Sequence, residues 1–206
     1  SNDAGATISL HGAGVYGLSA VQGTALNAGD IYLDGFVPVL DDAGNIISSS
    51  YWQAPQSYLY DTSAAMIVGS DDPGRGDATA INTGTITVKN AGFGMTALNG
   101  GTAINQGTIN LIADEGVTGE PNQLVAMAAL KKGVVINDTT GVINIDADYG
   151  QAFLTDENSY VINNGTINLD GSPMADDDSH MGATPTDKAW IQTLPGSGES
   201  STQTSD

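Results

Sequence analysis

The stretch Ala80-Ile81-Asn82-Thr83-Gly84-Thr85-Ile86-Thr87-Val88 decides the fold, because its pattern recurs along the chain. The pattern has an aliphatic residue, an asparagine, a glycine soon after it, and two further aliphatic residues separated by one position. Further copies occupy residues 25–33, 103–111, 135–145 and 161–169, and a half copy is found at 6–10. The shorter steps between copies are 23 residues, as from Ile8 to Ile31, and 24 residues, from Ile143 to Ile167. A repeat of this length is typical of solenoid proteins.

Each repeat predicts a coil of three short strands. Apolar and polar residues alternate in Thr85–Val88, which is typical of a strand with one buried face, and no segment keeps the spacing of an amphipathic helix. Second apolar patches lie between the copies, at residues 14–18, 92–95, 125–128 and 150–154. Because each coil can bury its inward side chains only against the next coil, we predict an all-β, right-handed parallel β-helix. Over residues 1–170 it would have about six or seven coils of roughly 23 residues each.

An asparagine stands at the same place in each repeat, as Asn27, Asn82, Asn105, Asn137 and Asn163. Its short amide tolerates a left-handed backbone and can hydrogen-bond to the equivalent residue of the next coil. We therefore predict an asparagine ladder at one corner of the β-helix, followed by glycines with positive φ.

Composition and charge exclude several classes of protein. The 206 residues include 27 glycines, no cysteine, and 5 basic against 24 acidic side chains, which gives a net charge of −19. Such an acidic chain cannot neutralise phosphate groups, so neither nucleic acid nor an anionic membrane surface is expected as a partner. The lack of cysteine excludes disulfides, thiolate catalysis and cysteine-bound metals. No apolar run approaches the ~18 residues of a membrane span.

One long interruption of the repeat, at residues 35–77, is the first candidate for a binding region. It holds five of the twelve aromatic residues, and four of these are candidate binding residues: Tyr51, Trp52, Tyr58 and Tyr60. Aromatic rings on a loop can stack on sugars or anchor a protein partner. The alternative is that they pack the loop against the rod or cap its end. Within the interruption, Ala64–Val68 is predicted to be a strand of the resumed coil.

The same interruption contains Arg75-Gly76-Asp77, in which Arg75 is the only arginine of the chain. The preceding residues 71–74 are turn formers, so the tripeptide is expected on an exposed loop. The guanidinium and the carboxylate, held apart by a glycine, can contact a protein partner and a metal bound to that partner, as integrin ligands do. Arg75, Gly76 and Asp77 are therefore candidate binding residues, with an ordinary solvated turn as the alternative.

Two further departures from the repeat carry less information. Residues 113–123 form a short acidic stretch that is expected to be a surface loop. Residues 171–206 are rich in Ser, Thr, Asp, Gly and Pro, and we predict a linker or an end cap that uses residues 188–194.

The sequence offers no clear catalytic or metal-binding constellation. A β-helix lyase needs a base beside calcium-binding carboxylates, but the four lysines and the single arginine are scattered. Asp146 and Asp148 could form a glycosidase pair, although two solvated side chains are the simpler interpretation. His11 and His180 lie near opposite ends of the chain, and no calcium-loop motif is present. We predict a protein that is not an enzyme, with no catalytic residue, no metal site and no cofactor.

The copies Ala80–Val88 and Val161–Leu169, with Gly-x-x-Met patches between copies, resemble the passenger domains of Gram-negative autotransporters of the AIDA and pertactin type. The resemblance covers about residues 4–171 and concerns core and turn residues. It implies export through the periplasm, translocation by a C-terminal β-barrel, and display at the outer membrane or release as a secreted protein. Passengers of this kind can also carry an Arg-Gly-Asp loop.

The resulting prediction is a bacterial cell-surface adhesin or virulence factor whose loops bind a host matrix protein, receptor or glycan. Two alternatives stay open. The fold and the many carboxylates also suit a polysaccharide-active β-helix enzyme, and a repetitive rod also suits a passive stalk that associates with itself.

Overall fold

The computed structural model describes residues 1–12, 14–35, 38–40, 46–49, 63–70, 77–115, 123–147, 149–169 and 191–193. All regular elements in these ranges are β-strands, and most belong to three parallel sheets that are built up coil by coil. The predicted all-β, right-handed parallel β-helix is confirmed. Within the same ranges, no helix has the length and apolar character needed to cross a membrane.

Each coil contributes one strand to each of three sheets, except that the last coil adds none to sheet 3 among the described residues. Sheet 1 consists of β1 (Thr7–His11), β4 (Asp30–Asp34), β9 (Thr85–Lys89), β12 (Thr108–Ile112), β15 (Val142–Asp146) and β18 (Thr166–Leu169). Sheet 2 consists of β2 (Tyr16–Ala20), β7 (Ala64–Val68), β10 (Gly92–Leu98), β13 (Leu124–Leu130), β16 (Gly150–Thr155) and β19 (Ile191–Thr193). Sheet 3 consists of β3 (Gly23–Asn27), β8 (Ala78–Asn82), β11 (Thr102–Asn105), β14 (Val134–Asn137) and β17 (Tyr160–Asn163). A separate antiparallel pair, β5 (Pro38–Leu40) and β6 (Ile46–Ser49), lies between β4 and β7.

Equivalent residues of the repeat lie directly above one another. In sheet 1 the isoleucine that follows the glycine pairs with its counterpart in the next coil, in the order Ile8, Ile31, Ile86, Ile109, Ile143 and Ile167. The six strands of sheet 1 define coils 1 to 6, numbered along the chain. β19 is the last strand of sheet 2 and pairs in parallel with β16, so it lies within the segment 188–194 considered above as an end cap.

A single apolar column fills the interior. In the middle coils of sheet 1, buried residues alternate with half-buried ones, because successive side chains of a strand point to opposite faces. Sheet 2 closes the column with larger side chains, namely Met66, Met95, Met127 and Phe153. One narrow column explains how a chain with many glycines and few large apolar residues can still enclose a core.

Sheet 2 differs from the other sheets because both of its faces are buried in the middle coils. All seven residues of β10 and all seven of β13 are buried. Outward side chains, among them Phe93, Val125, Leu130 and Leu154, form a second apolar cluster beside the interior column. Parallel strands that are covered on both faces are typically continuous apolar runs, and Leu124–Leu130 has this character in the sequence.

The predicted asparagine ladder is confirmed, and it begins one rung earlier than the repeats indicate. Nδ2 of each member donates to Oδ1 of the member in the next coil, over 2.7–2.9 Å, in the order Asn2, Asn27, Asn82, Asn105, Asn137 and Asn163. Asn2 also forms a parallel bridge with Asn27. The sequence conceals Asn2 because Ser1 precedes it, where the other copies have an aliphatic residue before the asparagine.

The backbone geometry predicted for the ladder is wrong. The five predicted asparagines end the strands of sheet 3, and neither they nor the glycines that follow them have positive φ. These glycines are needed for a different reason: a Cβ on Gly84 would lie within 3.0 Å of the carbonyl oxygen of Gly29 in the preceding coil. That oxygen accepts the N–H of Thr85 at 3.0 Å. The coils therefore approach too closely at this turn to leave room for a side chain.

Candidate functional site

Three corners join the sheets, and they differ in the length of chain that they carry. Corner C, from sheet 3 to sheet 1, holds the short ladder turns such as Asn82–Gly84. Corner A, from sheet 1 to sheet 2, carries residues 35–63 in coil 2 and residues 113–123 in coil 4. Corner B, from sheet 2 to sheet 3, carries residues 69–77 in coil 2. The longest departures from the repeat thus flank sheet 2 on both sides.

The interruption at residues 35–77 consists of two excursions, because Ala64–Val68 is strand β7, as predicted, and pairs with β2 and β10. The candidate aromatic residues belong to the corner A excursion and fall outside the described ranges: Tyr51, Trp52, Tyr58 and Tyr60. Arg75 and Gly76, at corner B, also fall outside them. The two excursions join the rod at opposite ends of β7, which has five residues and spans about 16 Å. The candidate residues are therefore attached at two corners of the rod.

Of the tripeptide at corner B, the structure describes Asp77. This residue directly precedes β8, with a φ of 50°, and its carbonyl oxygen accepts the N–H of Gly23 in coil 1 at 3.2 Å. Aspartate adopts left-handed geometry more readily than most residues. Its side chain is exposed. Asp77 thus ties the end of the excursion to the neighbouring coil and presents its carboxylate to solvent.

The surface between the two corners is the outward face of sheet 2, and it is closed. Ala64, Phe93 and Val125 are at most 1% exposed there. These side chains are therefore not accessible to a partner.

Corner A is held by a polar network at the base of its excursions. Lys89 Nζ lies 2.7 Å from Asp114 Oδ1. Asn90 Nδ2 donates to Asp34 Oδ1 and Asp114 Oδ2, both at 3.2 Å. The main-chain carbonyl oxygen of Asn90 accepts a 2.7 Å bond from the Tyr149 hydroxyl. Hydrogen bonds from Lys89, first, and from Asn90 lower the pKa of Asp114, and the same bond raises the pKa of Lys89. The network joins coils 2 to 5 and fixes the points where the excursions leave the rod.

Corner B of coil 4 carries the only two adjacent basic residues of the sequence, Lys131 and Lys132. Both are exposed and have positive φ, 49° and 69°. The N–H of Lys131 donates to both carboxylate oxygens of Asp156, at 3.0 and 2.7 Å. Two coils, or about 10 Å, separate this pair from the excursion at 69–77. In the sequence they count among the scattered basic residues, and their position relative to this excursion becomes visible only in the coil geometry.

The outward face of sheet 1 is a further accessible polar surface. A second asparagine ladder runs along it, with Asn168 Nδ2 donating to Asn144 Oδ1 and Asn144 Nδ2 to Asn110 Oδ1, both at 2.8 Å. In coils 1 and 2 the same face carries His11 and Tyr32, whose ring centres are 5.9 Å apart. This second ladder was not predicted, although the repeated Gly-x-Ile-Asn phrase marks its positions in the sequence.

The described ranges assemble no catalytic or metal-binding constellation. No three His, Cys, Asp or Glu side chains within them are close enough to hold a metal ion. Asp146 ends β15 with an exposed side chain, while Asp148 and His180 fall outside the ranges. The expectations of no metal, no cofactor and no enzymatic activity stay predictions.

Comparison with known proteins identifies a family for this chain. Residues 1–141 match the family described as the BigA third pectate lyase-like domain. The chain belongs to this family. Over 205 residues it is 72% identical to "Putative surface-exposed virulence protein BigA" of Salmonella typhimurium (strain LT2), in an alignment that covers 100% of this chain and 10% of the relative. The chain thus spans about a tenth of the length of the curated relative that it matches. No solved structure matches it.

These similarities agree with the predicted fold and with a relationship to a surface protein. The family is described as pectate lyase-like, in keeping with the parallel β-helix, and the relative is described as surface-exposed. The more specific resemblance to an autotransporter passenger stays a prediction.

Proposed function

We propose that this chain is a β-helical segment of a bacterial cell-surface adhesin, and that it binds a host matrix protein, receptor or glycan at corners A and B. The observation that carries the proposal is the attachment of both coil 2 excursions to the two ends of β7. The excursions hold every binding residue suggested by the sequence, and they join the rod at the two corners that flank sheet 2. The 72% identical relative, described as a surface-exposed virulence protein, supports a location at the cell surface.

The rod supplies a rigid platform for these excursions. The Lys89–Asp114 pair and the bonds of Asn90 fix the base of corner A, and Asp77 fixes the end of the corner B excursion. Loops on a rigid scaffold commonly carry binding function. The aromatic side chains of the corner A excursion suit sugar rings or apolar protein surface, and the charged pair Arg75 and Asp77 suits a protein that carries a bound metal.

A binding screen tests the proposal. The intact chain is measured against immobilised matrix proteins and a glycan array, beside a Tyr51→Ala/Trp52→Ala variant and an Asp77→Asn variant. Asparagine tolerates the backbone geometry of position 77 and removes only the charge. Asp146→Asn, which removes a charge on sheet 1, is the matched control. We expect one or both corner variants to lose binding by at least about tenfold and the control to retain it. Full binding by both corner variants, in folded protein, would refute the placement.

The description of the family as pectate lyase-like favours, as a second candidate, an enzyme that acts on polysaccharides. We propose instead that the chain is not an enzyme and needs no cofactor. In support, Lys89 is already engaged by Asp114, and the exposed Lys131 and Lys132 lie at a corner where the described residues form no calcium-binding group of carboxylates. Release of unsaturated or reducing ends from acidic polysaccharides, with and without added calcium, would overturn this proposal.

The proposed setting is an exported passenger, displayed at the outer membrane or released. Protease treatment of intact cells that express the full-length protein tests this directly. Digestion of the segment before lysis is expected, whereas full protection until lysis would contradict a surface location.

A further inference from the structure

The outward face of sheet 1 carries a straight row of polar side chains that runs parallel to the rod axis. Its members pair in register from coil to coil, in the order Ser9, Tyr32, Thr87, Asn110, Asn144 and Asn168. All six are half-buried or exposed. Because neighbouring parallel strands lie about 4.8 Å apart, the part of the row from Tyr32 to Asn168 is about 19 Å long. We call these six residues the sheet 1 row.

The amides of the sheet 1 row are held in one orientation and still have hydrogen-bonding capacity. Asn168 Nδ2 donates to Asn144 Oδ1, and Asn144 Nδ2 donates to Asn110 Oδ1, both at 2.8 Å. A side-chain amide has two N–H donors and an oxygen with two lone pairs, so Asn144 uses only one of each within the described residues. The ladder fixes these amides before a ligand arrives, which lowers the entropy that binding would cost.

The row has an aromatic ring in coil 2. Tyr32 is half-buried, and its ring centre lies 5.9 Å from that of His11 in coil 1. An aromatic ring offers a large apolar surface, whereas the asparagines in coils 4 to 6 offer donors and acceptors. A pyranose ring has the matching pair of properties, because its C–H faces are apolar and its rim carries hydroxyl groups that both donate and accept.

Charge decides which class of glycan fits this face. The sheet 1 row itself has no charged residue. The rows on either side of it carry the carboxylates of Asp30, Asp34 and Asp146, and their one lysine, Lys89, is paired with Asp114 at 2.7 Å. With a net charge of −19 on the chain, a glycan that carries carboxylate or sulfate groups is repelled. An uncharged glycan meets no such barrier.

We propose that the sheet 1 row binds an extended, uncharged glycan chain that lies parallel to the rod axis. The distance of about 4.8 Å between strands is close to the length of one pyranose unit in such a chain, so each coil faces about one sugar. Tyr32 stacks on one sugar ring, and Asn110, Asn144 and Asn168 hydrogen-bond to hydroxyl or acetamido groups of the sugars that follow. This site is separate from corners A and B, and it does not depend on the binding proposed there.

Isothermal titration calorimetry on the intact chain tests the proposal. The probes are cellohexaose and chitohexaose, which are uncharged β-1,4-linked hexasaccharides, and the β-1,4-linked hexamer of mannuronate, which carries one carboxylate on each sugar. We expect at least one uncharged hexasaccharide to bind and the mannuronate hexamer to bind at least about tenfold more weakly. Binding of the uncharged probe should be the same at low and high salt, because no charges are paired. The corresponding trisaccharide should bind more weakly, since it spans fewer coils.

Two variants locate the binding on the sheet 1 row. Tyr32→Thr and Asn144→Thr each introduce the residue type that coil 3 has at this position, Thr87. Loss of the ring or of the amide should weaken binding about three- to tenfold. Tyr160→Thr is the matched control, because it removes a 62% exposed tyrosine from the outward face of sheet 3. It should leave binding unchanged, and circular dichroism checks that all three variants are folded.

The corner variants separate this proposal from the binding at corners A and B. The Tyr51→Ala/Trp52→Ala variant should still bind the uncharged hexasaccharide. Its failure to bind, together with full binding by Tyr32→Thr, would assign the glycan to corner A and overturn the proposal for sheet 1. Loss of matrix binding by the corner variants, in contrast, concerns only the function proposed above.

The other outcomes are equally distinct. Binding of an uncharged hexasaccharide that Tyr32→Thr and Asn144→Thr weaken and Tyr160→Thr does not supports the proposal. No binding of either uncharged hexasaccharide overturns it, as does tighter binding of the mannuronate hexamer. Equal losses in Tyr32→Thr and Tyr160→Thr also overturn it, because they would show that the sheet 1 row is not the surface in contact with the glycan.

Discussion

Asn105→Ala is the most direct test of what the buried ladder contributes to stability. Asn105 is 0% exposed, accepts from Asn82 Nδ2 at 2.8 Å and donates to Asn137 Oδ1 at 2.8 Å. Alanine removes both ladder bonds and a longer bond from Asn105 Nδ2 to the carbonyl oxygen of Val142, at 3.4 Å. Asn137 Oδ1 then loses its donor, whereas Asn82 Nδ2 keeps longer bonds to the carbonyl oxygens of Gly84 and Thr108, at 3.3 and 3.4 Å. A buried polar group that loses its partner costs about 1–3 kcal/mol and a lost hydrogen bond about 1 kcal/mol, so the variant should lose about 2–4 kcal/mol. That is a large share of the about 5–15 kcal/mol that stabilises a typical domain.

The measurement is urea unfolding followed by circular dichroism, with Asn110→Ala as the control. Asn110 belongs to the outward ladder of sheet 1, is half-buried, and accepts one side-chain bond, from Asn144 at 2.8 Å. Because water can replace that bond, the control should lose only about 1 kcal/mol. The slope of the free energy against urea must be equal in all three proteins for the comparison to hold.

Equal losses in the two variants would refute the reasoning, because they would mean that burial does not determine the value of these amide bonds. A loss below about 1 kcal/mol for Asn105→Ala would do the same. It would show that the coils relax around the gap and that shape alone holds the turn.

Three further changes have outcomes that the structure determines. Gly84→Ala should lower the thermal midpoint far more than Gly100→Ala, because a Cβ on Gly84 meets a backbone oxygen of the preceding coil. A Cβ on Gly100 meets nothing, and its only cost is the left-handed φ of 83°, about 1–2 kcal/mol. Equal shifts of the thermal midpoint would contradict this. Phe93→Ala should cost about 3–5 kcal/mol in urea unfolding and Phe93→Leu clearly less, since Phe93 is 0% exposed; a small loss would mean that the outer cluster is loosely packed. The lowered pKa of Asp114, due first to Lys89, gives stability that is present above the ordinary pKa of 3.8 and disappears as the pH falls through the lowered value. Asp114→Asn should therefore show a smaller fall of the thermal midpoint than the parent chain on acidification below that pH, and an unchanged acid profile would contradict the assignment.

The repeat predicted the coil architecture correctly because its spacing and its alternation point to the same structure. Ile86 and Ile109 are one period apart in the sequence and pair directly in sheet 1. The ladder followed from the same regularity. Its first rung did not, because Asn2 follows Ser1 where the other copies have an aliphatic residue before the asparagine. The reason for the ladder glycines was also missed, since a close approach between coils leaves no mark in a single repeat.

The candidate site was less predictable, because the position of its residues depends on the corner at which each excursion joins the rod. The sequence predicts the strand Ala64–Val68 within residues 35–77, but not that the excursions before and after it join the rod at the two corners that flank sheet 2. The sequence also did not show that Lys131 and Lys132 lie at corner B, two coils from the excursion at residues 69–77. The closed outer face of sheet 2 could have been anticipated, since Leu124–Leu130 has no polar position to face water.

The parallel sheets give the rod a particular response to mechanical load. The hydrogen bonds between coils run along the axis, and the chain enters at coil 1 and leaves at coil 6. A force that pulls the two ends apart stretches these bonds directly and detaches one coil at a time from an end. A coil of 23 residues, such as Ile86 to Ile109, then releases about 80 Å of extended chain. The 55 residues from Ile31 to Ile86 release about 190 Å. Coil 2, which carries both excursions, therefore releases more extended chain under tension than a coil of 23 residues does.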